Sequence, residues 1–166
     1  MVLIYRIKQF YWALNSKINV QDKQFLKMYL SEEEINIFSK LAVDEQKHSI
    51  RTAKAVENIY LQHNINKKYM LIKAALLHDI GKIDSELNYI YKALIVLLDK
   101  CSRRKIKQFM NIKVVDCYYN HGEKGYFILK KHGYDERFLY LVKNHHNNDI
   151  IGDKELDILK YCDDHS

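Results

Sequence analysis

Residues 69–81, YMLIKAALLHDIG, are apolar at almost every position, with Lys73 the one charged residue before Asp79. A helix that is apolar nearly all round belongs to an interior. The segment therefore predicts a central helix ending in the His78-Asp79 pair. Other stretches repeat apolar residues at three- and four-residue steps, the signature of amphipathic helices. Residues 4–14 do so through Ile4, Ile7, Phe10, Tyr11 and Leu14. Residues 44–63 do so through Ile50, Ala53, Val56 and Ile59, with His48 on or beside the stripe. Shorter helices fit 21–30 and 31–42; the second opens with Ser31 and Glu34, a capping box. Residues 64–68 read as a loop, and 87–99 as another strongly apolar helix. A helix over 112–133 carries His121 and ends at Gly133, placed as a C-cap. The last two helices cover 135–148, ending in His145-His146, and 153–164. Docking of the last one is expected through Ile158, Leu159 and Tyr161.

Composition agrees with this pattern. The 166 residues include no Pro and only 5 Gly, the two residues a helix interior tolerates least. The fold class expected is all-α, a single helical domain, with residues 1–40 as N-terminal helices packed on a domain spanning 41–166. No apolar run is long enough to cross a bilayer, and no signal peptide is expected, since the first residues show no charged region ahead of an apolar one and no small-residue cleavage site. The three cysteines, Cys101, Cys117 and Cys162, are odd in number and far apart, which suits reduced thiols in a cytoplasmic protein.

The net charge of +6 favours anionic partners. Its densest cluster, KCSRRKIK at 100–107, reads as a solvated helix face. It lacks the aromatic interleaving of a single-strand binder, which argues against nucleic acid. A small phosphorylated molecule is the expected partner. Arg6, Lys8 and Lys17, with no acid before Asp22, leave room for peripheral membrane contact by the first helix. The apolar helices suit a monomer or a homodimer.

The chemistry gathers in one set: His48, His78-Asp79, His121, His145-His146 and Asp163. Each lies on or at the end of an apolar helix, and helices sharing a core can bring such positions together. An ionised carboxylate is costly to bury without a cation. Imidazole and carboxylate together suit Mn, Fe, Co, Ni or Zn. Seven candidate ligands exceed what one ion needs, which suggests two divalent ions sharing a bridging carboxylate. Asp163 extends the stripe of Leu156, Leu159 and Cys162 more naturally than Asp164 does. His63, His132 and His165 sit in polar or terminal contexts and are read as non-ligands.

In this set the chain resembles the HD-domain metal-dependent phosphohydrolases. The carriers are His48 in EQKHSIRTA, His78-Asp79 in LLHDIGK and Asp163 in ILKYCDD. HGEKG with His121 and NHHN with His145-His146 are similar to the additional histidines of the HDIG branch. The N-terminal forty residues look like the leading helices of small bacterial HD proteins. The resemblance implies that His48, His78, Asp79 and Asp163 hold a first metal. Asp79 would bridge to a second, held by His121, His145 and His146. Lys82, four residues after His78 and so on one helical face with it, would reach a substrate phosphate, with Arg51 assisting. The implied activity is hydrolysis of a nucleotide or other small phosphoester or anhydride by a metal-activated water, with Asp79 and Lys82 catalytic. A metal- or nucleotide-binding module without turnover is the alternative. The chain departs from the HD-GYP pattern: Asn147 follows the His pair where those proteins carry Glu, and the Gly-Tyr-Pro segment is missing.

Overall fold

The computed structural model describes residues 17–63, 68–83 and 105–166, together with Ile95 and Leu98. The helix expected at 4–14, that expected at 87–99 apart from Ile95 and Leu98, residues 64–67 of the expected loop and residues 100–104 of the basic run lie outside the described residues. Among the described residues the regular structure is entirely helical: α1 (Val20–Tyr29), α2 (Glu32–Phe38), α3 (Val43–His63), α4 (Lys68–Leu77), α5 (Lys113–Lys131), α6 (Glu136–Asn144) and α7 (Lys154–Asp164). Short 3-10 turns cover Ile80–Lys82 and Lys105–Phe109. None of these helices is long and apolar enough to cross a membrane.

The apolar character of α4 has the consequence expected of it. Leu71, Ile72, Ala74, Ala75, Leu76 and Leu77 are all buried, each large side chain contributing about 1.5–3 kcal/mol of transfer free energy. The helix packs against α3, α6 and α7. Its mid-helix lysine, Lys73, reaches Glu34 of α2 at 2.7 Å. Glu34 also closes the predicted capping box with Ser31. A second box, between Asn19 and Asp22, opens α1.

The helix expected over 69–81 stops at Leu77. His78 and Asp79 form a turn, and Ile80–Lys82 tighten into a 3-10 helix. Lys82 therefore does not share an α-helical face with His78. Gly81 explains the break. The 3-10 turn packs onto α5, so closely that a Cβ at Gly81 would lie 1.9 Å from the His121 carbonyl oxygen and 2.7 Å from Gly125 N. On the same helix a Cβ at Gly122 would lie 2.7 Å from the Lys143 carbonyl oxygen of α6. Gly81, Gly122 and Gly125 thus let three backbones approach around His121.

Capping and ion pairing set the last two helices. Asp135 caps α6 by accepting from the Phe138 amide, and Asp153 caps α7 by accepting from Leu156. Arg137 clasps Asp153 through two nitrogens at 2.6 Å and also reaches Glu155, which joins the start of α6 to the start of α7. Helix α7 docks through Leu156, Leu159 and Cys162. Ile158 is only half-buried. Tyr161 is 59% exposed and lies against His165, so it does not dock the helix as expected, because it falls on the opposite side from the Leu156–Leu159–Cys162 stripe. Gly133 ends α5 with φ of 76°, the left-handed cap its position predicts. Cys117 and Cys162 are buried.

Two expectations follow. Gly81→Ala leaves the added methyl against the backbone of α5 at His121 and Gly125, so relief requires moving the turn away from α5. The cost is about 1–3 kcal/mol, read as a lower urea midpoint; an unchanged midpoint would show that the turn does not need the close approach. The second concerns Asp22, buried on α1 and bonded to both Lys47 and Lys54 of α3. Burial alone would raise its carboxyl, but the bonds from Lys47, Lys54 and the Asn19 amide outweigh it and hold it below the usual range. A carboxylate lowered in the folded state stabilises above its unfolded pKa of about 4 and loses that contribution as pH falls through the folded value. Asp22→Asn should cost about 1–3 kcal/mol at neutral pH. In urea titrations against pH, the gap between the two proteins should close on the acid side of pH ~4.

Candidate metal centre

Three histidines are aimed by the same local device. Nδ1 of His78 lies 2.9 Å from the Ala75 carbonyl. Nδ1 of His121 lies 3.1 Å from those of Cys117 and Tyr118, and Nδ1 of His145 lies 2.6 Å from that of Val142. A carbonyl oxygen only accepts, so each Nδ1 carries the proton and each Nε2 presents a lone pair when the ring is neutral. The carbonyls come from three or four residues earlier; those of Ala75 and Val142 lie in a last helical turn, where acceptors are left available, while those of Cys117 and Tyr118 lie inside α5 and use a second lone pair. Each ring is thereby turned so that Nε2 points away from its own backbone.

Packing then brings the Nε2 atoms together. In one group, ligand atoms of His48, His78 and Asp163 all lie within 4.8 Å of one another; in the other, those of Asp79, His121, His145 and His146 do. His48 Nε2 is 2.7 Å from Asp163 Oδ1, and His78 Nε2 is 3.3 Å from the same oxygen. Asp79 stands between the groups. Its Oδ2 is 3.3 Å from His78 Nε2 and 4.0 Å from His48 Nε2. Its Oδ1 is 3.4 Å from His121 Nε2 and 3.7 Å from His145 Nε2. Ligands about 2.0–2.2 Å from a common ion stand about 3 Å apart, so the spacings within each group suit a bound cation, and Asp79 turns one oxygen toward each group. His146 is the exposed member at 54%, with Nδ1 3.7 Å from Asp163 Oδ2. Asp163 faces the histidines, while Asp164 is exposed.

Unsatisfied polar atoms support a cation here. Asp79 Oδ1 and His78 Nε2 are buried without a hydrogen-bond partner, a costly state for such groups. His121 Nε2 and His145 Nε2 face each other at 3.2 Å. With both Nδ1 atoms protonated, this sets lone pair against lone pair unless a cation or a proton intervenes. Burial and the neighbouring Lys82 hold His121 well below its ordinary pKa, so it stays neutral, the state a metal ligand requires. Burial raises Asp79, but His78 and Lys82 more than reverse it and keep the carboxylate ionised. Asp163 behaves alike, with burial overcome by His78 and His48. Burial lowers His78, and the two carboxylates raise it well above its usual range. The site draws positive charge to the His78 Nε2 position.

Lys82 is ion-paired at the edge of the cluster. Its Nζ lies 2.7 Å from Asp79 Oδ2 and 3.3 Å from Glu45 Oε2. Burial lowers its pKa, but Asp79 and Glu45 raise it further, so the ammonium keeps its proton. Glu45, buried on α3, is a member of the site that sequence reading passed over; its place three residues before His48, one turn away on the same helix, was the available signal. Arg51 is half-buried a turn beyond His48. Of the histidines set aside, His132 pairs with Glu33 and His165 bonds the Tyr161 carbonyl, both away from the cluster. The side chain of His63 lies outside the described residues.

No curated protein and no solved structure matches the chain. The model of the HD domain family matches residues 46–166, a span that holds all seven clustered histidines and aspartates. That match covers most of the sequence, and the chain belongs to the HD domain family.

Proposed function

We propose that the chain is a metal-dependent phosphohydrolase acting on a nucleotide or another small phosphoester or anhydride, with two divalent transition-metal ions. The observation that carries this reading is the divided Asp79 carboxylate, one oxygen toward His48 and His78, the other toward His121 and His145. His48, His78, Asp79 and Asp163 would hold one ion, and Asp79, His121, His145 and His146 the other. Such ions supply a bound water that ionises near neutral pH and a positive clamp on phosphoryl oxygens.

The chain's own residues do the remaining work. Backbone carbonyls at Ala75, Cys117, Tyr118 and Val142 fix the ring tautomers, which keeps the ligands aligned and raises their basicity. Lys82 stays protonated and acts as a fixed charge toward a phosphoryl oxygen, not as a base. Glu45 shares the ammonium with Asp79 and holds it beside the site. Arg51 is proposed as a second phosphate contact. The half-exposed His146 marks the side from which a substrate approaches.

After loading with Mn, metal analysis should give about two equivalents per chain, falling to about one in His121→Ala. Hydrolysis of bis(p-nitrophenyl) phosphate or a panel of nucleotides should fall by about a hundredfold or more in that variant. Full occupancy without turnover of any phosphoester would favour a binding module; absence of bound metal would sink the two-ion reading. Lys82→Met should retain both equivalents and lower kcat by roughly 10²–10³. A Lys82→Met variant that turns over normally would limit Lys82 to balancing Asp79 and Glu45.

A further inference from the structure

The entry to α5 presents an unusual surface. Phe109, Met110 and Ile112 are 48%, 39% and 49% exposed, three large apolar side chains within four residues. Single exposed apolar residues are ordinary, but three so close along one turn are the kind of feature that interaction surfaces use. Ile112 is the N-cap of α5 and makes no side-chain capping bond, at a position where Ser, Thr, Asp or Asn is the stabilising choice. The group sits on a built turn: the Ile112 amide donates to the Phe109 carbonyl at 2.9 Å, and Asn120 of α5 reaches Met110 Sδ at 3.7 Å. Lys105 and Lys107 are exposed on the preceding 3-10 turn, and Lys107 lies over the Tyr119 ring. The sequence has no acidic residue between Asp99 and Asp116.

We propose that this surface docks the protein on an anionic lipid bilayer. Lysines gain from headgroup phosphates within a Debye length of the membrane. Phe, Met and Ile beside them gain from the acyl boundary just below. The apolar members decide between polyanions. A nucleic acid rewards stacking on aromatic faces, and Met110 and Ile112 offer none. The occupant is therefore a surface with an apolar layer beneath its negative charge. The proposal is independent of the hydrolase reading and of the N-terminal helix.

The test is co-sedimentation of the full chain with phosphatidylcholine vesicles, with and without phosphatidylglycerol. Binding should require phosphatidylglycerol. It should weaken on the order of tenfold in Lys105→Glu/Lys107→Glu, and comparably in Phe109→Ser/Ile112→Ser. Because these side chains are exposed, the circular dichroism of both variants should match the parent. A second readout needs no loss of function: with Trp12→Phe removing the native indole, Phe109→Trp should blue-shift on adding the anionic vesicles. Several results overturn the proposal. They are no binding, binding insensitive to the Phe109/Ile112 pair, an emission shift of native Trp12 with none from the indole at 109, or tighter binding to a single-stranded oligonucleotide at equal salt.

Discussion

Asp79 turns one oxygen toward His48, His78 and Lys82 and the other toward His121 and His145, and it does so in a place closed to water. An ionised carboxylate survives there only if positive charge and donors meet it from several sides. Those partners arrive from α3, the turn after α4, α5 and α6. The burial of this one charge therefore constrains the relative placement of four helical segments, and Asp163 adds a fifth from α7. Lys82 and His78 offset the charge without a metal, yet leave Asp79 Oδ1 unsatisfied.

Local backbone chemistry and long-range packing divide the remaining task. The carbonyl three or four residues back turns each buried ring, so Nε2 direction is settled within a single helical turn for His78, His121 and His145. Their separation is set by how closely the backbones approach, and there the glycines act. Gly81 sits against the His121 carbonyl, and Gly122 sits against that of Lys143. Two of the motifs that carry the family resemblance, LLHDIGK and HGEKG, are thus two sides of one contact. The glycines permit the approach that the ligands exploit.

Capping supports the same arrangement from the periphery. Arg137 ties the N-cap of α7 to α6, and Lys160 of α7 donates to the carbonyls of Asn147 and Ile150 in the loop after His146. Both join the helix that carries Asp163 to the segment that carries the histidine pair. Neither residue touches the cluster, but both reduce the freedom with which its two halves can separate.

Periodicity and composition alone determined that the chain is helical, that α4 is central, and that Ser31, Gly133 and the stripe of α7 lie where they do. These depend on side-chain spacing along one helix, which is a local property. The seven-residue set was also legible, because histidines and acids on apolar faces conflict with burial and so stand out. Tertiary structure alone decided that the helix breaks after Leu77, since only the approach of α5 to Gly81 makes a 3-10 turn the better fit. It paired Lys82 with Glu45 and so brought Glu45 into the site, because the spacing of Glu45 to His48 along one helix does not reveal an ion pair formed across elements. It also turned Tyr161 outward, where its exposure depends on what α7 packs against. Which atoms face which, and therefore how Asp79 divides its oxygens, follows from the meeting of separate helices, and no local pattern encodes that.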